Sequence, residues 1–211
     1  MFDHKHYVPI LKGKGGEFWA LSKLKAASKL LVTPVIELVP HDKKNTFEAD
    51  LAKKLISLNE SWPEQFFFDV RFAAPKNELP TSSTLSAAFR RMRAHGMKAI
   101  PVTRLGYSPK FQETIRAIAE QDQSGVMIRL AVADLAIREK LKTALSNLCN
   151  FLGVSEGQVD LLVDYGFKHP DDYEDLLYLQ GLHLSKIPKI REWRTLSKRS
   201  AKDAVRLISV H

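Results

Sequence analysis

Seven ionisable residues stand where predicted β-strands end, and their types suit either carboxylate chemistry or the binding of an anion. Three are carboxylates and four are cations: Glu37, Asp69 and Asp164, and Lys12, Arg71, Arg104 and Arg129. In parallel α/β folds, ligands bind outside the carboxyl ends of the strands. We therefore expect the carboxylates to be candidate catalytic residues and the cations to be candidate substrate-binding residues of one site.

Three interpretations of this set are open from the sequence. Three carboxylates near one axis can hold Mg²⁺ or another hard cation while the basic residues bind phosphate oxygens, which predicts a metal-assisted phosphodiesterase or nucleotide-processing enzyme. Alternatively, Glu37 and Asp69 form an acid–base pair for glycoside or related hydrolysis. In the third interpretation, the charges pair with one another and hold the fold together. The cofactor stays unknown, with Mg²⁺ as the candidate.

Apolar, β-branched runs alternate with amphipathic segments along the whole chain, and this pattern predicts the elements that position the charges. Helices are predicted over 17–31, around Leu51 to Leu58, over 83–95, from a Ser108–Pro109 start, from an Asp134 cap, and from Asp171 onward. Strands are predicted at Tyr7–Leu11, Thr33–Val39, Phe66–Val70, Lys98–Thr103, Val126–Leu130, Val159–Val163 and Trp193–Leu196, and 204–210 is either an eighth strand or a helix fragment.

Each predicted strand begins roughly 30 residues after the one before, which is the length of a βα unit. Strict alternation predicts a parallel sheet with helices outside it, in a TIM-barrel-like fold. Because the chain has 211 residues, fewer than the roughly 250 typical of a closed barrel, we expect an incomplete barrel. An open doubly wound parallel sheet is the alternative. Residues 1–196 form the predicted barrel-like domain, and 197–211 form a basic tail or a closing element.

The positive charge is concentrated at the end of the chain. The formal net charge is +8, of which residues 186–211 carry +6, with eight Lys and Arg against Glu192 and Asp203. A basic segment of this kind attracts polyanions. The sequence therefore predicts a nucleic-acid partner for this segment, with a solvated surface that aids solubility as the alternative.

Cysteine content and hydropathy predict a cytoplasmic protein. Cys149 is the single cysteine, so the chain cannot form an internal disulfide. No apolar run has the length of a membrane span, and the N-terminal residues do not match a signal peptide. We expect no membrane association.

Three motifs resemble a known family. The segments YVPILK at 7–12 followed by Gly-Glu and an aromatic, TPVIE at 33–37, and AIPVT at 99–103 are similar to those of the beta protein family, named after a T-even bacteriophage protein and found also in bacterial genomes. The resemblance runs from Tyr7 to about Leu196. It implies a TIM-barrel-like fold and a setting among phages and bacterial mobile or defence genes, and it implies no catalytic residues.

Three functions follow as hypotheses. The first is a module of phage–host conflict, in defence or counter-defence, that binds a protein or an anionic ligand at the carboxyl ends of the strands. The second is the enzyme acting on a phosphate-bearing substrate. The third is a subunit whose unfinished barrel is completed by a partner or by a second copy, since oligomerisation would cover the apolar edges.

Overall fold

Seven parallel strands and the helices between them make up the part of the chain that the computed structural model describes, residues 6–39, 47–73, 80–135, 138–164 and 193–196. The strands are β1 Ile10–Leu11, β2 Val35–Glu37, β3 Phe66–Asp69, β4 Ala99–Thr103, β5 Val126–Ala131, β6 Val159–Asp164 and β7 Trp193–Leu196. The helices are α1 Gly15–Ser22, α2 Ala26–Lys29, α3 Phe47–Ser61, α4 Ser82–Ala94, α5 Pro109–Asp122, α6 Val132–Leu135 and α7 Arg138–Leu152, with a 3₁₀ turn at Glu156–Gln158.

The strands follow one another in space in the order of the chain, from β1 to β7, and every neighbouring pair is parallel. A doubly wound sheet would instead reverse its strand order at a switch point, so the observed order excludes that alternative. All seven predicted strands are present, several of them shorter than expected.

The sheet curls around an axis. Strands β2 and β5 are three positions apart, which is roughly 14 Å across a flat sheet. Nevertheless, the guanidinium of Arg129 on β5 lies 2.6 Å from the carboxylate of Glu37 on β2. Side chains stand nearly perpendicular to a sheet, so they would not close that gap unless the sheet were curved. Because β1 and β7 lie at opposite ends of the strand order and do not pair within the described residues, the fold is an incomplete α/β barrel.

Two apolar layers pack against the two faces of the curled sheet, as the period-two alternation of strand side chains requires. The outer layer joins strand residues such as Phe66, Phe68 and Leu161 to the helices. The inner layer fills the barrel with one or two residues from most strands: Val8, Val35, Phe67, Ile100, Val102, Met127 and Leu162. Every residue of this inner layer is at most 4% exposed, so the barrel has a packed interior.

Some helix ends match the sequence prediction and two differ. The Ser108 side chain accepts a hydrogen bond from the Phe111 amide and begins α5, as predicted. The predicted helix over 17–31 is wrong in extent: it breaks into α1 and α2, because no residue beyond Leu21 in this stretch is buried to continue the apolar face. Asp134 lies inside the short α6, where its side chain accepts from the Ala131 amide, instead of capping one long helix.

Several predictions lie outside the described residues: the helix from Asp171, the element at 204–210, and most of the basic segment 186–211, including all of the 197–211 tail. No helix in the described ranges combines the length and the apolar character that crossing a bilayer requires.

Candidate functional site

Arg129 and three of the other predicted site residues meet at the carboxyl ends of the strands. We call this end of the sheet the mouth. Arg129 lies on β5 and is completely buried. Its Nη1 donates to Glu37 Oε1 and to Asp69 Oδ2, both at 2.6 Å, and its Nη2 donates to Asp164 Oδ2 at 2.6 Å. We call these four residues the Arg129 cluster. The strand alternation explains the convergence, because each member lies two residues after an inner-layer residue and therefore faces the same side of the sheet.

The Arg129 cluster keeps its charges because the charges compensate one another. Burial by itself would raise the pKa of Glu37, but Arg129 and Lys12 together hold that pKa below its usual value. Burial would likewise lower the pKa of Arg129, whereas Asp69, Glu37 and Asp164 raise it above the usual range. Glu37 is therefore an ionised hydrogen-bond acceptor at neutral pH, and this state does not suit a general acid.

Two further cations lie at the edge of the Arg129 cluster. The Lys12 ammonium, after β1, pairs with Glu37, and Arg71 Nη1, after β3, donates to Asp164 at 3.0 Å. Both side chains are 31% exposed. Lys12 Nζ lies 4.0 Å and Arg71 Cζ 4.9 Å from the centroid of the Phe72 ring, so both cations contact the same aromatic side chain.

Arg104, which follows β4, is the exception within the set. It makes no ion pair with any described residue, and its Nε is buried without a hydrogen-bond partner. Burial lowers the pKa of Arg104, and the nearby charges of Arg71 and Arg129 lower it further. The charge of Asp69 opposes this lowering. We call Lys12, Arg71 and Arg104 the rim cations. The seven residues thus comprise four cations against three carboxylates, and Arg104 is the cation that forms no ion pair with a described residue.

Tyr107 is a site residue that the sequence reasoning missed. It lies in the turn between β4 and α5, is 8% exposed, and its hydroxyl has no hydrogen-bond partner among the described residues. Burial is the largest cause of a raised pKa for Tyr107, and the charge of Asp69 raises it further. Tyr107 is an aromatic residue three positions beyond a strand-end arginine, and that spacing is the signal that could have identified it.

A buried glutamine holds the turn that carries Arg104 and Tyr107. The Gln112 amide nitrogen donates to the Arg104 carbonyl at 2.7 Å, and the Thr103 hydroxyl donates to the Gln112 amide oxygen at 2.7 Å. The Tyr107 ring packs on Phe111, with 4.5 Å between the ring centroids. The end of β4 is thus fixed to the first turn of α5, and the two residues keep their places at the mouth.

The carboxylate oxygens of the Arg129 cluster are better arranged to bind a guanidinium than to bind a metal ion. The oxygens of Glu37, Asp69 and Asp164 that face the axis are directed at Arg129. The residues described in the structure include no group of three or more His, Cys, Asp or Glu side chains that could hold a metal. The arrangement can fix a guanidinium and attract an anion, and the lowered pKa of Glu37 keeps that carboxylate ionised.

A second unpartnered guanidinium nitrogen lies at the opposite end of the sheet, in different surroundings. Arg93 Nη2 is buried without a partner beside a cleft of about 390 Å³. The charge of Arg93 is compensated, however, because its Nε lies 2.5 Å from Asp122. Missing hydrogen bonds therefore occur at both ends, whereas of these two arginines Arg93 has an ion-pair partner and Arg104 has none among the described residues.

A solved structure shares this architecture. The chain is similar to a crystal structure of a type I 3-dehydroquinate dehydratase from Clostridium difficile with covalently modified comenic acid, with a TM-score of 0.57 and 13% sequence identity. The match covers 93% of this chain and 77% of that chain. At this identity the likeness concerns the fold, and it supports the incomplete α/β barrel. A comparison with curated proteins found no match.

The resemblance to a known family that the motifs around β1, β2 and β4 predicted is confirmed. The family described as Beta protein matches residues 7–199. This range includes every strand of the sheet and all seven predicted site residues. The chain therefore belongs to the Beta protein family.

Proposed function

We propose that this protein binds an anionic ligand at the mouth, with the guanidinium of Arg104 as the main charge and Lys12 and Arg71 beside it. The observation that carries the proposal is that Arg104 forms no ion pair with a described residue and that its Nε is buried without a hydrogen-bond partner. A partly buried guanidinium without a partner costs free energy in the unbound protein, and an anion removes that cost on binding. Anion binding thereby accounts for the position of Arg104 at the mouth, which ion pairing within the folded protein does not explain.

The Arg129 cluster supports this function as a scaffold. Lys12 is held by Glu37 and Arg71 by Asp164, so two of the three rim cations are oriented before any ligand arrives. Side chains that are already ordered lose little conformational entropy when they bind. The rim cations therefore form a preorganised site. The carboxylates of the Arg129 cluster offset the repulsion between the positive charges of the rim cations.

The experiment compares three full-length proteins: the wild type, Arg104→Met and Arg90→Met. Arg90 is exposed on α4, so its substitution removes the same charge away from the mouth. Each protein is titrated calorimetrically with inorganic phosphate, sulfate and acetate at constant low ionic strength. We expect the wild type and Arg90→Met to bind at least one anion equally well, and Arg104→Met to bind it at least about tenfold more weakly. Equal affinities in all three proteins, or no binding by the wild type, would refute the proposal.

A second candidate function rests on the surface near β1. Tyr7, Leu30 and Leu31 are 42%, 78% and 43% exposed, and within the described ranges β1 has a strand neighbour on one side. An exposed apolar patch beside an open strand edge is typical of an interaction surface. We propose that a second copy of the chain covers it. Sedimentation equilibrium tests this: Leu30→Glu should shift the protein toward the monomer, and a wild type that is monomeric at high concentration would contradict the proposal.

The remaining functional hypotheses stay predictions. These are the role in phage–host conflict, the cytoplasmic location, the nucleic-acid partner of the basic segment, and catalysis by Glu37, Asp69 and Asp164 with or without Mg²⁺. The geometry favours binding over catalysis, because all three carboxylates are engaged with Arg129.

A further inference from the structure

We infer that the anion bound at the mouth is a phosphoryl group, such as that of a phosphate monoester, and that the hydroxyl of Tyr107 donates a hydrogen bond to one of its oxygens. This inference rests on the proposed function and adds to it the chemical class of the ligand and a residue that selects it.

Two side-chain donors in the turn after β4 are unused. The Tyr107 hydroxyl and Arg104 Nε are both buried, and neither has a hydrogen-bond partner among the described residues. The two residues share one turn, in which the Tyr107 amide donates to the Arg104 carbonyl at 3.4 Å. Buried donors are nearly always satisfied in folded proteins. Two unsatisfied donors in one turn at the mouth indicate that the missing acceptor comes from the ligand.

The protonation state of Tyr107 suits a donor to an anion. Burial, with a contribution from Asp69, raises the pKa of its hydroxyl far above the usual value of 10.0. The group therefore stays protonated and neutral at physiological pH. A neutral hydroxyl can donate to an oxyanion, whereas a phenolate would repel it.

The arrangement of the rim cations suits an anion with several acceptor oxygens. The rim cations follow three different strands, β1, β3 and β4. Lys12 and Arg71 both contact the Phe72 ring, so Lys12 Nζ and Arg71 Cζ cannot be further apart than the sum of their two distances from its centroid. A carboxylate has two oxygens in one plane and is satisfied by one guanidinium fork. A phosphate monoester presents three strong acceptor oxygens and up to two charges, and so it can bind donors from several directions at once.

The free protein keeps the Tyr107 hydroxyl away from solvent, so ligand binding requires a side-chain shift. Arg104 is the neighbour best able to make it, because no ion pair with a described residue fixes its guanidinium. On binding, Arg104 turns toward the phosphoryl oxygens and the hydroxyl gains its acceptor.

The test compares inorganic phosphate with acetate as calorimetric probes at the same pH and ionic strength, in the wild type, Tyr107→Phe and Ser124→Ala. Ser124 precedes β5 at the end of the sheet opposite the mouth, so its substitution removes a hydroxyl without touching the mouth. We expect the wild type and Ser124→Ala to prefer phosphate to acetate. Tyr107→Phe should lose about tenfold in phosphate affinity and much less in acetate affinity.

A thermal melt of each unbound protein separates binding from a structural role. Because the Tyr107 hydroxyl has no hydrogen-bond partner in the part of the chain that the structure describes, Tyr107→Phe should melt at the same temperature as the wild type or higher. A lowered melting temperature with unchanged phosphate preference would assign Tyr107 a structural role and overturn the inference, as would acetate binding as tight as phosphate binding.

The two proposals fail in different ways. If Arg104→Met loses anion affinity while Tyr107→Phe binds phosphate like the wild type, the mouth still binds anions and only the inference about Tyr107 is wrong. If the wild type binds neither probe, the proposed function itself is wrong.

Discussion

Two layers of side chains fill the inside of the curled sheet, and they differ in chemistry although they come from the same strands. The lower layer is apolar and includes Val35, Phe67 and Met127. Two residues further along each of these strands, the layer at the mouth holds Glu37, Asp69 and Arg129. All six residues are at most 1% exposed, so burial alone does not separate the layers.

The difference between the two layers shows how charged side chains can be buried inside a barrel. The lower layer excludes water through packing, whereas the upper layer tolerates burial because each carboxylate of the Arg129 cluster contacts a guanidinium. Pairing alone would call for equal numbers of opposite charges. Arg104 is the additional cation of the upper layer, and pairing of charges does not account for it. The proposed function rests on this residue.

The largest expected effect comes from removing the centre of the upper layer. Arg129→Met leaves three carboxylates buried close together, which should lower the free energy of unfolding at pH 7 by about 3–5 kcal/mol. Urea denaturation measures this loss. The matched control is Met127→Leu, two residues earlier on the same strand, which should cost less than about 1.5 kcal/mol.

The same variant has a pH signature that packing defects lack. Without Arg129, the pKa of Glu37 in the folded state loses the largest influence that lowers it, so burial raises this pKa above the unfolded value. The folded state then binds more protons, so Arg129→Met should regain stability as the pH falls from 7 toward 5. A loss of stability that is equal for both variants, or independent of pH, would show that the two layers do not differ as described.

A smaller effect is expected from Glu37→Gln, which keeps the shape of the side chain and removes one charge. Loss of the charged hydrogen bonds to Arg129 and Lys12 should cost about 1.5–3 kcal/mol at pH 7. In the wild type the pKa of Glu37 lies below its usual value of 4.5. Its contribution is therefore complete above that usual value and is lost as the pH falls through the lowered pKa.

Denaturation curves of the wild type and Glu37→Gln between pH 7 and pH 3 should consequently converge at the acid end. Curves that stay parallel would mean that the Glu37 charge does not stabilise the folded state.

A third prediction sharpens the comparison within the upper layer. Arg104→Met should leave the free energy of unfolding unchanged or raise it by about 1 kcal/mol, because it removes a buried donor without a partner and relieves the repulsion from Arg71 and Arg129. Chemical denaturation of the unbound protein is the measurement. A destabilisation as large as that of Arg129→Met would mean that Arg104 is a structural cation like Arg129.

The smallest effect on the mouth is expected from ending the chain after Leu196. This removes the basic residues of the 197–211 tail and should leave phosphate binding at the mouth within about twofold, because Glu37 and Asp164, which orient Lys12 and Arg71, remain in place. Affinity for single-stranded DNA, measured by fluorescence anisotropy over a range of salt concentrations, should fall. A large loss of phosphate affinity instead would connect the tail with the mouth.

Much of the fold was predictable because its signals are local. Apolar runs of four to seven residues predicted each strand, and the Ser108–Pro109 pair predicted the start of α5, since capping depends on residues adjacent in the chain. The break between α1 and α2 was missed because helical spacing at Phe18, Leu21 and Leu24 says nothing about whether the next turn finds a surface to pack against.

The sequence by itself determined that charged residues end the parallel strands. The alternation of side chains and the length of each strand depend on residues that are adjacent in the chain. Only the tertiary structure decided which charges pair. The curvature of the sheet brings Glu37 to Arg129 across 92 positions of the chain and leaves Arg104 Nε and the Tyr107 hydroxyl without hydrogen-bond partners among the described residues. Pairing depends on distances through space, and those distances follow from how the whole sheet bends.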